Sequence, residues 1–212
     1  MRFDIVTIFP NIFDSYFNES LFKRARKNGL LDIKVHNLRD YTEDKHQVVD
    51  DSPYGGGPGM VLKAEPIAKA VASLKRQTTS ERLKSCVILF STRGEKLDQK
   101  TAKRLAKYDR LILICGRYEG IDERVAKYIA DEEISIGDYI LSGGELPAMV
   151  LVEAVSRQLS GFIGKRESLE EIKGSYPVYT RPETLTVKGK KRKVPPVLLG
   201  GDHKKIQEWR DG

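Results

Sequence analysis

Residues 115 to 149 constrain this chain more than any other stretch. Cys115-Gly-Arg-Tyr-Glu-Gly-Ile-Asp-Glu-Arg124 and Ser135-Ile-Gly-Asp-Tyr-Ile-Leu-Ser-Gly-Gly-Glu-Leu-Pro-Ala-Met149 are two glycine-punctuated turns. Each directly follows an apolar, strand-like run, and one short helix pattern separates them. Turns of this kind at the carboxyl ends of strands form the pockets in which α/β proteins hold small ligands. Strand and helix patterns alternate through the rest of the chain, which predicts an α/β domain with a mainly parallel sheet.

The first strand is expected over Phe3 to Phe9, with Asp4 marking an end or an edge. Pro10 and Asn11 then open a helix to about Asn28 on the stripe Ile12, Phe13, Tyr16, Phe17 and Leu21. Leu31 to Leu38 alternates strictly and predicts a half-buried strand with His36 on its polar, surface side. Residues 39 to 62 carry Gly55, Gly56, Gly57 and Gly59 in a long irregular segment, either a mobile loop or a ligand-contacting one. A helix follows from about Glu65 to Lys75, then a strand over Cys86 to Phe90 that ends in the turn Ser91-Thr92-Arg93-Gly94. Next come a helix over Leu97 to Ala106 and a continuously apolar strand, Arg110 to Cys115, of the kind covered on both faces. After the first glycine turn a short helix carries Ile121, Val125 and Tyr128, and Glu132 to Ile136 forms a strand. A long helix then runs from the second turn to about Ser160.

From Gly161 the composition shifts to Gly, Pro, Lys and Glu with weak periodicity, which predicts a linker and a small terminal piece. That piece contains the basic run Lys188-Gly-Lys-Lys-Arg-Lys193 and ends in a helix, Asp202 to Arg210, packed down by Trp209. Twelve Lys and Arg stand against seven Asp and Glu after Gly161, so +5 of the net charge of +7 lies there. Such asymmetry points to a polyanion, nucleic acid before membrane, although a solvated basic tail has the same composition. No apolar run approaches the ~20 residues of a membrane span, and an acid within the amino-terminal strand pattern argues against a signal peptide. Cys86 and Cys115 each sit in an apolar run and read as buried thiols compatible with a reducing cytoplasm.

Several chemistries are disfavoured. The turns lack Gly-x-Gly-x-x-Gly, no His/Cys cluster has metal-ligand spacing, and no Gly-x-Ser-x-Gly elbow occurs. Three strand-end segments instead converge in a parallel sheet: Leu89 to Thr92, Gly116 to Gly120, and Ser135 to Gly144. Loops this rich in free amides and carbonyls can read an adenine and a ribose, beside a basic surface for RNA.

These strings, with Asp50-Asp-Ser-Pro-Tyr-Gly-Gly-Gly-Pro-Gly-Met60 and Tyr179-Thr-Arg-Pro182, resemble the bacterial tRNA (guanine-N1)-methyltransferases that modify guanine 37. The likeness runs in order over nearly the whole chain. It implies a SPOUT-type α/β fold with a deep carboxyl-terminal trefoil knot, a homodimer, and S-adenosylmethionine bound bent within the knot. The domains implied are a cofactor-binding domain at 1–160, a linker at 161–183 and a shortened, mainly helical tRNA-contacting piece at 184–212.

Position by position, the family's cofactor pocket corresponds to Leu89, Phe90, Ser91 and Thr92, then Gly116, Tyr118, Glu119 and Gly120. It continues with Ser135, Ile136, Gly137, Asp138, Tyr139, Ile140 and Leu141, and with Gly143 and Gly144. Glu119, Asp50 and Arg181 correspond to substrate contacts, a reading of Glu119 favoured over its alternative as an acid serving a helix dipole. Arg157 matches the family's catalytic arginine, or forms only an i,i+4 ion pair with Glu153. The family's base is an aspartate; this chain has Glu171 there, with Glu170 beside it, and Thr92 where proline is common. The resemblance further implies a tRNA anticodon-region substrate, a cytoplasmic location, no membrane and no residue-built metal site, and suggests magnesium as an assisting ion. Two alternatives stay open: a related SPOUT RNA methyltransferase with another target, and a weakly active RNA- and cofactor-binding homologue.

Overall fold

The computed structural model describes residues 1–77, 83–164 and 174–211. The chain divides into two compact units, Met1–Gly164 and Lys165–Gly212. In the first, β1 (Arg2–Thr7), β2 (Asp32–Asn37), β5 (Ser85–Lys96), β6 (Arg110–Ile114) and β7 (Glu132–Ser135) form one sheet in the order β2-β1-β6-β5-β7. Every pairing in it is parallel. A short antiparallel pair, β3 (Asp50–Asp51) with β4 (Val61–Leu62), lies outside it.

Strand residues alternate between two cores, as a pleated strand requires. Phe3, Ile5, Ile88, Leu111 and Leu113 pack with α1 (Asp14–Phe17), α2 (Ser20–Lys27), α4 (Gln99–Leu105) and α6 (Glu145–Ser156). Val6, Val87, Leu89, Ile112 and Ile114 pack instead with α3 (Ala64–Arg76) and α5 (Glu123–Tyr128). Both faces of β6 are therefore covered, and all five of its residues are buried, as its unbroken apolar run predicts. In α3, Ile67, Ala70, Val71 and Leu74 form the buried stripe of an amphipathic helix.

Four local expectations are corrected. The helix expected to about Asn28 is instead a 3₁₀ turn, Pro10–Phe13, followed by α1 and α2, with a break at Ser20 (φ 47°). Phe17 and Phe22 would point about 140° apart on an unbroken helix. The break lets their rings meet edge-on at 5.1 Å, with Phe162 a further 5.3 Å from Phe22. Asp4 marks no edge, because β1 lies inside the sheet and Asp4 is fully buried. Its carboxylate accepts from Arg2 Nε (2.7 Å) and Nη2 (2.8 Å) and from Arg110 Nε (2.7 Å), and meets His36 Nε2 at 2.7 Å. Burial alone would raise its pKa; hydrogen bonds from His36, Arg2 and Arg110 outweigh that and hold the carboxyl well below the usual range. His36 is accordingly no surface residue, with a side chain only 17% exposed. Finally, Ser91–Gly94 is a bulge within a twelve-residue β5, because Ile134 pairs with both Phe90 and Glu95.

In the second unit, β8 (Thr184–Val187) and β9 (Lys190–Lys193) form an antiparallel hairpin. The basic run is thus strand and turn: Lys188 (φ 48°) and Gly189 (φ 71°) supply the two positive-φ positions that tight hairpins favour. Helix α7 (His203–Asp211) carries Trp209, whose ring lies 6.2 Å from that of Tyr179.

Candidate cofactor and substrate cleft

The carboxyl ends of β5, β6 and β7 are neighbours in the sheet, and a cleft of about 550 Å³ opens there. That size suits a drug-sized ligand or cofactor. Leu89, Phe90, Ser91 and Thr92 line it from β5; Gly116, Tyr118, Glu119 and Gly120 line it from the loop after β6. From the loop after β7 come Ser135, Ile136, Gly137, Tyr139, Ile140, Leu141, Gly143 and Gly144.

Glycine makes the close approach of these loops possible. Gly144 N–H donates to Gly116 O at 2.9 Å, and a β-carbon on Gly144 would lie 2.7 Å from Cys115 Cα. A β-carbon on Gly94 would lie 2.5 Å from the Ile134 amide nitrogen, so the β5 bulge fits against β7 only without a side chain. Tyr118 sits at φ +60°, a conformation costly for a non-glycine residue and held here at the cleft wall. Ser135 Oγ accepts from Gly137 N–H at 3.3 Å, and Tyr139 Oη donates to Ile136 O at 3.1 Å, which fixes the third loop.

The glycine-rich segment also finds a position. Glu119 N–H donates to Met60 O and Leu62 N–H to Gly120 O, both at 3.0 Å, so the chain before β4 runs along the second loop. At Gly59 (φ +78°) a β-carbon would lie 2.6 Å from Glu119 Oε1. Glycine here lets the backbone pack directly against the Glu119 side chain at the wall of the cleft.

Charge inside the cleft is mixed. Glu119, Glu123 and Glu133 line it beside two cations, Arg93 and Arg117. Arg93 Nη2 donates to Glu123 at 2.7 Å, which lowers the Glu123 pKa, and lies 3.9 Å from Glu133. Arg117 Nε donates to Glu145 Oε2 at 2.9 Å. Cys115, directly under this loop, is no nucleophile: burial, then the Glu145 charge, pushes its thiol well above the usual value. Among the described residues, no group of three or more His, Cys, Asp and Glu could hold a metal ion.

Other expected residues lie elsewhere. Asp138 is not among the lining residues and pairs with Lys96 at the surface. Asp50 belongs to β3, whose partner strand β4 is hydrogen-bonded to the second loop. Arg157 caps α6 and lies 3.9 Å from Glu153; it does not line the cleft. Arg181 is in the second unit, and Glu170 and Glu171 lie outside the described residues. Sequence reasoning missed Arg93, Arg117, Glu123, Glu133 and Ser142 in the lining, and Glu145 behind it. The signal for two of them was present: Arg117 stands inside the quoted Cys-Gly-Arg-Tyr string, and Glu145 directly follows Gly143-Gly144.

Comparisons with known proteins agree with this architecture. The family model for tRNA (Guanine-1)-methyltransferase TrmD matches residues 1–212. The Dictyoglomus turgidum protein named tRNA (guanine-N(1)-)-methyltransferase is 53% identical over 215 residues, covering 99% of this chain and 83% of its own. The protein of the same name from Thermomicrobium roseum is 50% identical over 214 residues, covering 99% and 77%. The crystal structure of the tRNA (m1G37) methyltransferase from Aquifex aeolicus superposes with a TM-score of 0.81 at 44% identity, covering 99% of this chain and 87% of that one. The parallel α/β sheet is the SPOUT-type fold expected from the resemblance. A full-length family match, relatives half identical over nearly every residue and a superposable fold agree: the chain belongs to the tRNA (Guanine-1)-methyltransferase TrmD family.

Proposed function

We propose that this protein transfers the methyl group of S-adenosylmethionine to N1 of guanine 37 in the anticodon region of tRNA. The observation that carries the proposal is the convergence of the β5 bulge and the loops after β6 and β7 on one cleft, with the Glu119 carboxylate at its wall. Volume, bare glycine backbone and three acids suit a compact, positively charged adenosine derivative. Bound S-adenosylmethionine supplies a methyl group made electrophilic by its attachment to a sulfonium.

The remaining work belongs to the chain. Guanine N1 carries a proton at neutral pH, so a carboxylate must take it as the N1–methyl bond forms and the sulfur–methyl bond breaks, the sulfur leaving as a neutral thioether. We assign that role to Glu171, with Arg157 assisting at the guanine. Glu119 accepts from the guanine N–H edge, and Asp50 and Arg181 hold the RNA.

We further assign a homodimer and a knot. Phe9, Ile12, Tyr16, Leu146 and Val150 are exposed apolar residues. Leu146, Val150, Glu153 and Arg157 follow one stripe of α6 and its cap. Tyr16 Oη donates to Glu153 Oε2 at 2.9 Å and so ties the amino-terminal turn to that stripe. A second copy seated there would cover this stripe, with Arg157 at its end. The backbone contact between Gly144 and Cys115–Gly116 supports threading of the third loop against the second. No helix of the described residues is long and apolar enough to cross a membrane, and tRNA as substrate supports a cytoplasmic location.

Incubation of the full chain with methyl-labelled cofactor and unmodified tRNA tests the proposal. Label should enter tRNA carrying guanine 37 and not tRNA in which that base is replaced; equal labelling of both would overturn the assignment.

A further inference from the structure

A closed circuit of contacts stands behind the cleft. Phe9 N–H donates to Thr7 Oγ1 at 3.0 Å, and the Thr7 hydroxyl donates to Glu145 Oε1 at 2.8 Å. Arg117 Nε donates to Glu145 Oε2 at 2.9 Å, and the Arg117 guanidinium carbon lies 4.7 Å above the centroid of the Phe9 ring. Glu145 is 2% exposed and sits in the first turn of α6, where the helix dipole favours its charge. A buried ion pair adds little net stability, because desolvation offsets much of the attraction. What this one does is fix the plane of a guanidinium at the wall of the cleft.

Arg117 has donors left over. Its Nη1 and Nη2 have no acceptor among the described residues, and its side chain is 23% exposed where it lines the cleft. Of the two lining cations, Arg93 is already engaged by Glu123 and Glu133. The acids lining the cleft suit the positive sulfonium and ammonium of S-adenosylmethionine, which leaves its carboxylate to be met by a cation. A planar guanidinium matches a carboxylate with two parallel hydrogen bonds.

On the reading that S-adenosylmethionine occupies this cleft, we propose that Arg117 binds the carboxylate of its amino-acid moiety and that Glu145 is the residue positioning Arg117. Thr7 and Phe9 hold that pair from the end of β1. The site then selects adenosine compounds that carry an intact amino acid.

Calorimetric titration of the full chain with S-adenosylmethionine and with its decarboxylated analogue tests this, because the two ligands differ only in the carboxylate. The wild-type protein should prefer the carboxylate-bearing ligand by about 10- to 100-fold, the range of a charge-assisted hydrogen bond. Arg117→Gln should abolish the preference by weakening the first ligand and leaving the second within about twofold. Arg117→Lys should keep part of it. Glu145→Gln should reduce the preference, and Thr7→Val should reduce it less and serves where the buried glutamine prevents folding. Equal loss for both ligands would make the circuit merely structural, and an undiminished preference in Arg117→Gln would place the carboxylate elsewhere; either result overturns the proposal. If neither ligand binds the wild-type protein, the cofactor assignment itself fails, and that failure is distinct.

Discussion

Strand β1 holds a buried carboxylate network near each end, and the two differ in how they are completed. At Asp4 both oxygens meet side-chain nitrogens, from the guanidinium groups of Arg2 and Arg110 and from the ring of His36. Three residues on, about 10 Å along the strand, Thr7 reaches Glu145, which binds a single cation, Arg117. The first network joins β1, β2 and β6, and none of its four residues lines the cleft. The second sits behind the ligand cleft, with guanidinium nitrogens still unmatched among the described residues. A buried carboxylate met by strand residues on both oxygens fixes a fold; a guanidinium anchored through one nitrogen beside a cleft presents a binding group.

The comparison can be broken from either side. The largest stability loss is expected at Asp4, where Asp4→Ala leaves the Arg2 and Arg110 guanidinium groups without their counter-charge and should cost about 3–5 kcal/mol by urea unfolding. Glu145→Gln should cost less stability and shift ligand preference instead; the opposite order would reverse the two roles. Next is Gly144→Ala, whose β-carbon meets the Cys115 backbone at 2.7 Å. It should weaken cofactor binding severely and cost about 1–3 kcal/mol as the loops are forced apart. Gly55→Ala has nothing within 4 Å and only a positive φ to resist it, so it should cost about 1 kcal/mol and spare binding.

Acid separates the networks more gently. Asp4 titrates lower in the folded than in the unfolded chain, so its stabilisation is complete above the ordinary carboxylate pKa of about 4. It is lost as pH falls below that value toward the depressed one. Unfolding free energy measured across that range should fall more steeply for the wild-type protein than for Asp4→Asn; parallel curves would remove Asp4 from the account. The smallest effect is expected at the exposed Lys69–Glu65 pair, where Glu65→Gln should leave the unfolding midpoint unchanged within error.

Much of this was legible in the sequence for local reasons. Apolar patterns indicated the strands and the sheet type, and glycines beside strand ends indicated the cleft loops after β6 and β7; the third segment reads as a turn but is a bulge inside β5. What was illegible depends on distant partners. An acid in a strand pattern reads as an edge until Arg110, 106 residues away, is known to bury with it. Glu145 reads as an ordinary helix-start acid until Thr7, 138 residues earlier, closes on it. The break at Ser20 serves an aromatic cluster completed by Phe162, and the basic hairpin depends on a two-residue turn that composition concealed. The assignment of Glu171 as base came from resemblance, because no local pattern distinguishes one linker carboxylate from the next.

The central claim is best tested by mapping the methyl group after reaction of the full chain with S-adenosylmethionine and unmodified tRNA, using nuclease digestion and mass spectrometry. The account predicts one modified nucleotide, N1-methylguanosine at position 37. Absence of N1-methylguanosine, or a methyl group at another position, would contradict it.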